Sequence, residues 1–201
     1  HRILTMQRDD GSFSLWTGCE AYTWGSIYAT HFLVEAAKAG YRPPEERVKA
    51  ACDYLEKWMA QRSAPKNDEG TGDDVYNRSY ACYVLALAGR PQHGWMTRLR
   101  EQEAELDGDA RVNLAAALIA AGKRREGNAV LGNPEAAYVE EVPRQTGGSL
   151  RSGTRADAML LTTWLELDPA NAAIPGLVRR LESSREKGIW YTTQENAMAL
   201  M

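Results

Sequence analysis

Ala-rich apolar stretches recur along this chain, and each is too uniformly apolar to lie on a protein surface. They run Ala29-Thr30-His31-Phe32-Leu33-Val34-Glu35-Ala36-Ala37, Ala81-Cys82-Tyr83-Val84-Leu85-Ala86-Leu87-Ala88-Gly89, Leu114-Ala115-Ala116-Ala117-Leu118-Ile119-Ala120-Ala121-Gly122 and Ala158-Met159-Leu160-Leu161-Thr162-Thr163-Trp164-Leu165. They return at intervals of roughly 35 to 50 residues, the range of helical-hairpin repeats, and the helices between them carry more charge. A helix apolar on most sides must be covered all round, whereas a charged amphipathic one faces water. An inner ring of apolar helices wrapped by an outer ring satisfies both demands. An open solenoid of the tetratricopeptide kind would do so too, and Ala115 to Leu131, with Gly122-Lys123-Arg124 at its turn, looks locally like one. The variable repeat length favours a closed ring. The expected fold is all-α: an α/α toroid of repeated helical hairpins, present as an incomplete ring in a single domain over 1–201.

Helical period dominates, and strand-like alternation is nearly absent. One helix is predicted from Tyr22 to Ala39, with Ile27, His31, Val34 and Lys38 along one line and Gly40 as its stop. A second opens with Pro43-Pro44-Glu45-Glu46, prolines in the first turn and acids at the positive end of the dipole, and runs to Arg62. Ser63 to Gly72 is a polar loop. Further helices are predicted over Asp74–Ala88, Gln92–Leu106, Ala110–Ala121, Arg124–Leu131, Thr154–Leu167 and Ala172–Lys187, and from Thr192 to the end. Asn133 to Gly153 breaks the rhythm, and Tyr138-Val139-Glu140-Glu141-Val142 predicts a short β-hairpin near residues 136–150 or an extended loop. Ile3-Leu4-Thr5-Met6-Gln7 reads as the last turns of a helix, and the end stops in mid-helix without a cap. A fragment of a longer protein, truncated at both ends, is the expectation.

Apolar residues make up 44% of the chain, ordinary for a globular protein. A net charge of −3 with scattered basic residues lacks the electrostatic footprint of a nucleic-acid binder. No apolar run of about twenty residues exists to span a bilayer, so membrane attachment is left to an anchor outside these residues, and His1 to Arg8 does not read as a signal peptide. The three cysteines, Cys19, Cys52 and Cys82, form no C-x-x-C pair. Cys52 and Cys82 lie in apolar helical stretches and are expected to be small buried hydrophobes.

No complete catalytic constellation is legible. A triad needs a nucleophile, a histidine and an acid together, and the histidines are His1, His31 and His93. His93 sits at a turn, and His31, mid-helix among apolar neighbours, reads as a satisfied, semi-buried histidine. A zinc site of the kind built by toroid prenyltransferases would draw on Cys19-Glu20 and Asp73-Asp74, but no histidine completes it. The acid-rich motif of a terpene cyclase has its nearest counterpart in Asp9-Asp10, which with Gly11 reads as a turn. Trp16, Tyr22, Trp24, Tyr28, Trp58, Tyr76, Tyr80 and Tyr83 are expected to wedge hairpins together. No metal, cofactor or catalytic residue is assigned.

At Asp10-Gly11-Ser12-Phe13-Ser14-Leu15-Trp16, at Tyr28 to Ala36, and at Tyr191-Thr192-Thr193-Gln194-Glu195-Asn196-Ala197-Met198-Ala199-Leu200, the sequence resembles the thioester-domain region of bacterial α2-macroglobulins. The segments stand in the right order and span the chain, the last being the most specific. The resemblance implies an α/α toroid, related to complement proteins, within a large periplasmic or cell-envelope inhibitor that is not an enzyme. In that family a protease cuts a bait region and is trapped when an internal Cys-Gln thioester acylates one of its amines. Its implied partners are proteases and the other domains of the same chain. The family's Cys-x-Glu-Gln motif is absent: Cys19-Glu20-Ala21-Tyr22 has no glutamine, and Glu101-Gln102 follows Leu99 where a cysteine is needed. Animal relatives carry a histidine near the thioester; the matching neighbourhood, before Asn77-Arg78-Ser79-Tyr80-Ala81, holds Tyr76, which the resemblance suggests as a thioester-shielding residue. The competing readings are a toroid enzyme of the cyclase or prenyltransferase type and a helical-repeat scaffold that binds peptides.

Overall fold

The computed structural model describes residues 2–61, 71–132 and 151–200. Its helices are α1 (Thr23–Lys38), α2 (Glu45–Ala60), α3 (Thr71–Leu87), α4 (His93–Glu101), α5 (Gly108–Ala120), α6 (Arg124–Leu131), α7 (Gly153–Leu167), α8 (Ile174–Ser183) and α9 (Thr193–Leu200), and no named strand occurs among the described residues. The β-hairpin expected near residues 136–150 lies outside the described residues, as does most of the loop from Ser63 to Gly72.

The two-ring expectation is met by the order of contacts. The Ala-rich helices pack in series, α1 on α3, α3 on α5, α5 on α7 and α7 on α9, while α2, α4, α6 and α8 cover them from outside. In α5 every residue from Asp109 to Ile119 except Arg111 is buried. Its alanines let neighbours approach closely: a Cβ on Gly127 of α6 would lie 2.9 Å from the Ala115 carbonyl oxygen. One apolar core runs from Ile27 in α1 to Met198 in α9.

The repeat is also visible in how the inner helices stop. After α1, α3 and α5 the chain passes through Gly40, Gly89 and Gly122, with φ of 88°, 74° and 80°. Behind each, a backbone N–H reaches back to close the last turn: Tyr41 to Ala36, Arg90 to Leu85 and Lys123 to Leu118, at 3.0, 2.8 and 2.8 Å. This left-handed cap needs a residue without a Cβ penalty, which is why glycine recurs there. The outer helices are tied by ion pairs. Arg90 holds Asp53 and Glu56 of α2 at 2.7 and 2.6 Å, Arg180 of α8 holds Asp157 of α7, and Arg100 of α4 meets Glu126 of α6. Arg78 of α3 is buried between the rings of Trp58 and Trp95, bonded to Asp74 and to the Met59 and Gln61 carbonyls.

Several boundaries differ from expectation. Gln92–Leu106 is not one helix: α4 ends at Glu101, Gln102 leaves helical geometry and a 3-10 turn follows, which drops Leu106 into the core. The last expected turn of Ala172–Lys187 is replaced by a tight reversal, with Lys187 at φ 52° and Glu186 bridged to Ile189. Residues Arg2–Met6 form a 3-10 helix rather than the end of an α-helix. Trp16 does not wedge hairpins, being 67% exposed.

The Asp10-Gly11-Ser12 stretch is the turn it was expected to be. Asp10 accepts from the Ser12 amide and hydroxyl, and Arg8 N–H donates to the Ser12 carbonyl. Gly11, at φ +90°, lies so close to α2 that an added Cβ would stand 2.1 Å from the Ala50 carbonyl oxygen. Both the dihedral and the contact exclude a side chain. Gly11→Ala is therefore expected to cost about 2 to 4 kcal/mol, read as a lower denaturant midpoint with an unchanged m-value.

Candidate functional site

Because the inner helices run side by side in one direction, their N-termini converge at one pole and their C-termini at the other. At the N-terminal pole, side chains close the first turns. Asp107 accepts from the Ala110 amide of α5 at 2.9 Å, and Ser152 from the Arg155 amide of α7 at 3.3 Å. At α9 the cap is reciprocal: Thr192 Oγ1 accepts from the Glu195 amide at 3.1 Å, and the Glu195 carboxylate accepts from the Thr192 amide at 3.0 Å, a capping box. Asn196 then holds the preceding turn, donating to the Trp190 and Thr192 carbonyls at 2.7 Å each. The Thr192 to Asn196 segment that carried the sharpest family likeness is thus the cap of α9.

Inside this cap layer lies a cationic and aromatic network. Arg151 pairs with Asp107 at 2.8 Å and Asp109 at 3.0 Å and stands over the Tyr76 ring at 4.8 Å. Arg155, fully enclosed, places its guanidinium 5.4, 5.6 and 5.1 Å from the rings of Trp24, Tyr76 and Tyr80. Its Nε and one terminal nitrogen have no acceptor among the described residues, and the buried carbonyl oxygens of the Asn77 and Gln194 side chains have no donor there. Tyr76, the residue singled out from the sequence, is buried with a guanidinium on either side. Burial pushes its phenol up, and the nearby Arg155 charge opposes that rise. Arg151, Asp109 and Arg155 were not anticipated. Their sequence signal is charge around a helix cap: Asp109 and Arg155 follow the capping Asp107 and Ser152 in the first turns of α5 and α7, and Arg151 immediately precedes Ser152.

Deeper along α1, His31 is more buried than the sequence suggested, at 2% exposure. Its Nδ1 lies 2.8 Å from the Tyr80 hydroxyl, and its ring meets Tyr80 and Tyr83 edge-on. Burial, reinforced by the charges of Arg155 and Lys38, lowers its pKa to about 3, so it is neutral at pH 7. Cys52 and Cys82 are buried and unpaired, as expected, and burial pushes the Cys82 thiol up to about 12, the opposite of an activated nucleophile. Cys19 is exposed. Among the described residues no three of His, Cys, Asp and Glu come together as metal ligands.

Among the described residues the pole is built from caps, arginine and aromatic rings. A histidine whose folded pKa is depressed takes up a proton in the unfolded chain first, so stability is full above the unfolded value and falls as pH drops towards the folded one. With His31 at about 3 against 6.5 unfolded, unfolding between pH 6.5 and 5, above the carboxylate range, is expected to lose on the order of 1 kcal/mol per pH unit at the acid end. In His31→Gln, denaturant titrations across that window should show this slope abolished.

No protein-family model matches the chain. The alpha-2-macroglobulin of Escherichia coli (strain K12) is 28% identical over 214 residues, covering 99% of this chain and 12% of that protein. Among solved structures, Salmonella alpha-2-macroglobulin reacted with methylamine superposes with a TM-score of 0.83 at 26% identity, over 98% of this chain and 13% of that one. The native conformation of the E. coli protein gives 0.81 at 25% identity, over 99% and 13%. The same protein activated by porcine elastase gives 0.79 at 25%, over 98% and 18%. The chain thus spans a small part of the length of the relatives it matches. Over nearly its whole length it is homologous to the bacterial alpha-2-macroglobulins and has the fold of their corresponding helical region.

Proposed function

We propose that these 201 residues form one helical unit of a protease inhibitor of the alpha-2-macroglobulin type, acting as part of the trap and not as an enzyme. The observation that carries this reading is homology over essentially the entire chain, joined to superposition on relatives in native, methylamine-reacted and elastase-activated forms. The continuous core from α1 to α9 supports treating the chain as one unit. In the parent, the partners are proteases and neighbouring domains, and the setting is periplasmic, with any membrane anchor elsewhere in the molecule.

The unit's task in this reading is to shelter a thioester that lies outside it. Such a bond survives only where water and amines are excluded; when an amine attacks the acyl carbon, the C–N bond forms as the C–S bond breaks, and the cysteine thiol is released with the proton. The N-terminal pole suits that role, since Tyr76, Arg151 and Arg155 make a dense, water-poor wall. Tyr76 is the proposed shielding residue, acting by packing and not by proton transfer, because its buried phenol stays protonated.

Intact mass measured before and after methylamine tests both points. The parent protein is expected to gain the mass of one bound methylamine, and the 201-residue chain, lacking Cys-x-Glu-Gln, none. Tyr76→Ala in the parent should shorten the thioester's lifetime in buffer. An unchanged lifetime removes Tyr76 from the shield, and no methylamine gain in freshly prepared parent leaves inhibition by physical entrapment.

A further inference from the structure

The pole opposite the arginine network opens into a cleft of about 460 Å³, within the size range of small-ligand sites. Its walls are the last turns of α1, α3, α5 and α7, so the negative ends of parallel helix dipoles gather around it. Glu35 and Glu166 stand on the walls with Tyr83 and Thr162. Tyr83 lies in the field of both carboxylates, which add to burial in pushing its phenol up. On the floor is His31, almost wholly enclosed. With Nδ1 taken by Tyr80, its Nε2 makes no hydrogen bond among the described residues, the Glu35 carboxylate being 3.9 Å away.

The chain's own cations already lean on this pole. Lys38 pairs with Glu35 at 2.9 Å, and Arg124 donates to the Leu167 carbonyl at the end of α7. Glu166 has no ion-pair partner among the described residues. These groups are not arranged to ligate a metal ion. They are arranged around a space that takes a cation with an apolar stem.

We propose that this cleft is a non-covalent binding site for a primary ammonium group on a short aliphatic stem, such as a lysine side chain. The ammonium donates to Glu166 and to the free Nε2 of His31, which fixes the ring as the Nδ1–H tautomer. The apolar stem lies against Tyr83 on the cleft wall. Glu35, shared with Lys38, sets the negative potential without being the main contact. The site stands independently of the thioester reading, because it uses the other pole and forms no covalent bond.

Amide chemical shifts of the ¹⁵N-labelled 201-residue chain test it, with N-acetyl-lysine N-methylamide, n-butylammonium and the uncharged N-acetyl-norleucine N-methylamide as probes. Saturable shifts confined to the surroundings of His31, Tyr83 and Glu166 are expected for both amines, with a dissociation constant of about 1 mM, and none for the norleucine probe. Glu166→Gln, at an exposed position, should weaken binding about tenfold while its remaining amide shifts stay those of the folded protein. Tighter binding of the lysine probe than of butylammonium identifies a protein side chain as the natural occupant; equal binding identifies a free amine. Absence of saturable shifts, equal shifts with norleucine, or undiminished affinity in Glu166→Gln overturns the proposal.

Discussion

The fold depends on covering α5 on all sides. A helix that is buried from Val112 to Ile119, with Asn113 as the one polar residue in that run, has no face there to give to water, and here α3, α4, α6 and α7 all pack on it. Alanine contributes little area per residue, so its part is to let backbones approach closely around the fully buried Leu114 and Leu118. Close approach in turn restricts what the neighbours carry. Gly127 faces Ala115 and Ile119 because a methyl group has no room there. The outer helices then need only one apolar stripe each, and their charged faces supply the ion pairs that join neighbours at the surface.

Parallel inner helices have a second consequence: they separate polar chemistry into two unlike ends. At the N-terminal end, free backbone amides are met by Asp107, Ser152, Thr192 and Glu195, and two arginines are stacked among the aromatic rings of Trp24, Tyr76 and Tyr80. At the C-terminal end, glycine caps and carboxylates surround an open cleft. His31 and Tyr80 connect the two, since Tyr80 meets Arg155 of the arginine network and His31 of the cleft. A buried arginine with unmet donors is costly in isolation; its ring contacts recover part of that cost through cation–π attraction.

Much of this was legible from residues alone, and for identifiable reasons. The repeated apolar middles and glycine stops announce inner helices because both follow from local chemistry: helical period, and the φ > 0 cap that glycine tolerates. The same logic read Asp10-Gly11-Ser12 as a turn. Where the reading went astray, distant contacts decided. Trp95–Leu106 carries no Gly or Pro to stop a helix, yet the helix ends at Glu101 and Leu106 is buried in the core. Trp16 looked like a wedge, but its aromatic character says nothing about which loop exposes it.

By itself the sequence determined an all-helical chain with alternating apolar and charged helices, an absent Cys-x-Glu-Gln motif and a likeness to bacterial macroglobulins, because each depends on residue identity and short-range spacing. Only the tertiary structure decided what converges. Asp109, Arg151 and Arg155 lie far from Tyr76 in sequence, and Glu35 lies far from Tyr83 and Glu166. Their meeting at opposite poles follows from the parallel packing of helices joined through an outer layer, a relation that no local pattern encodes.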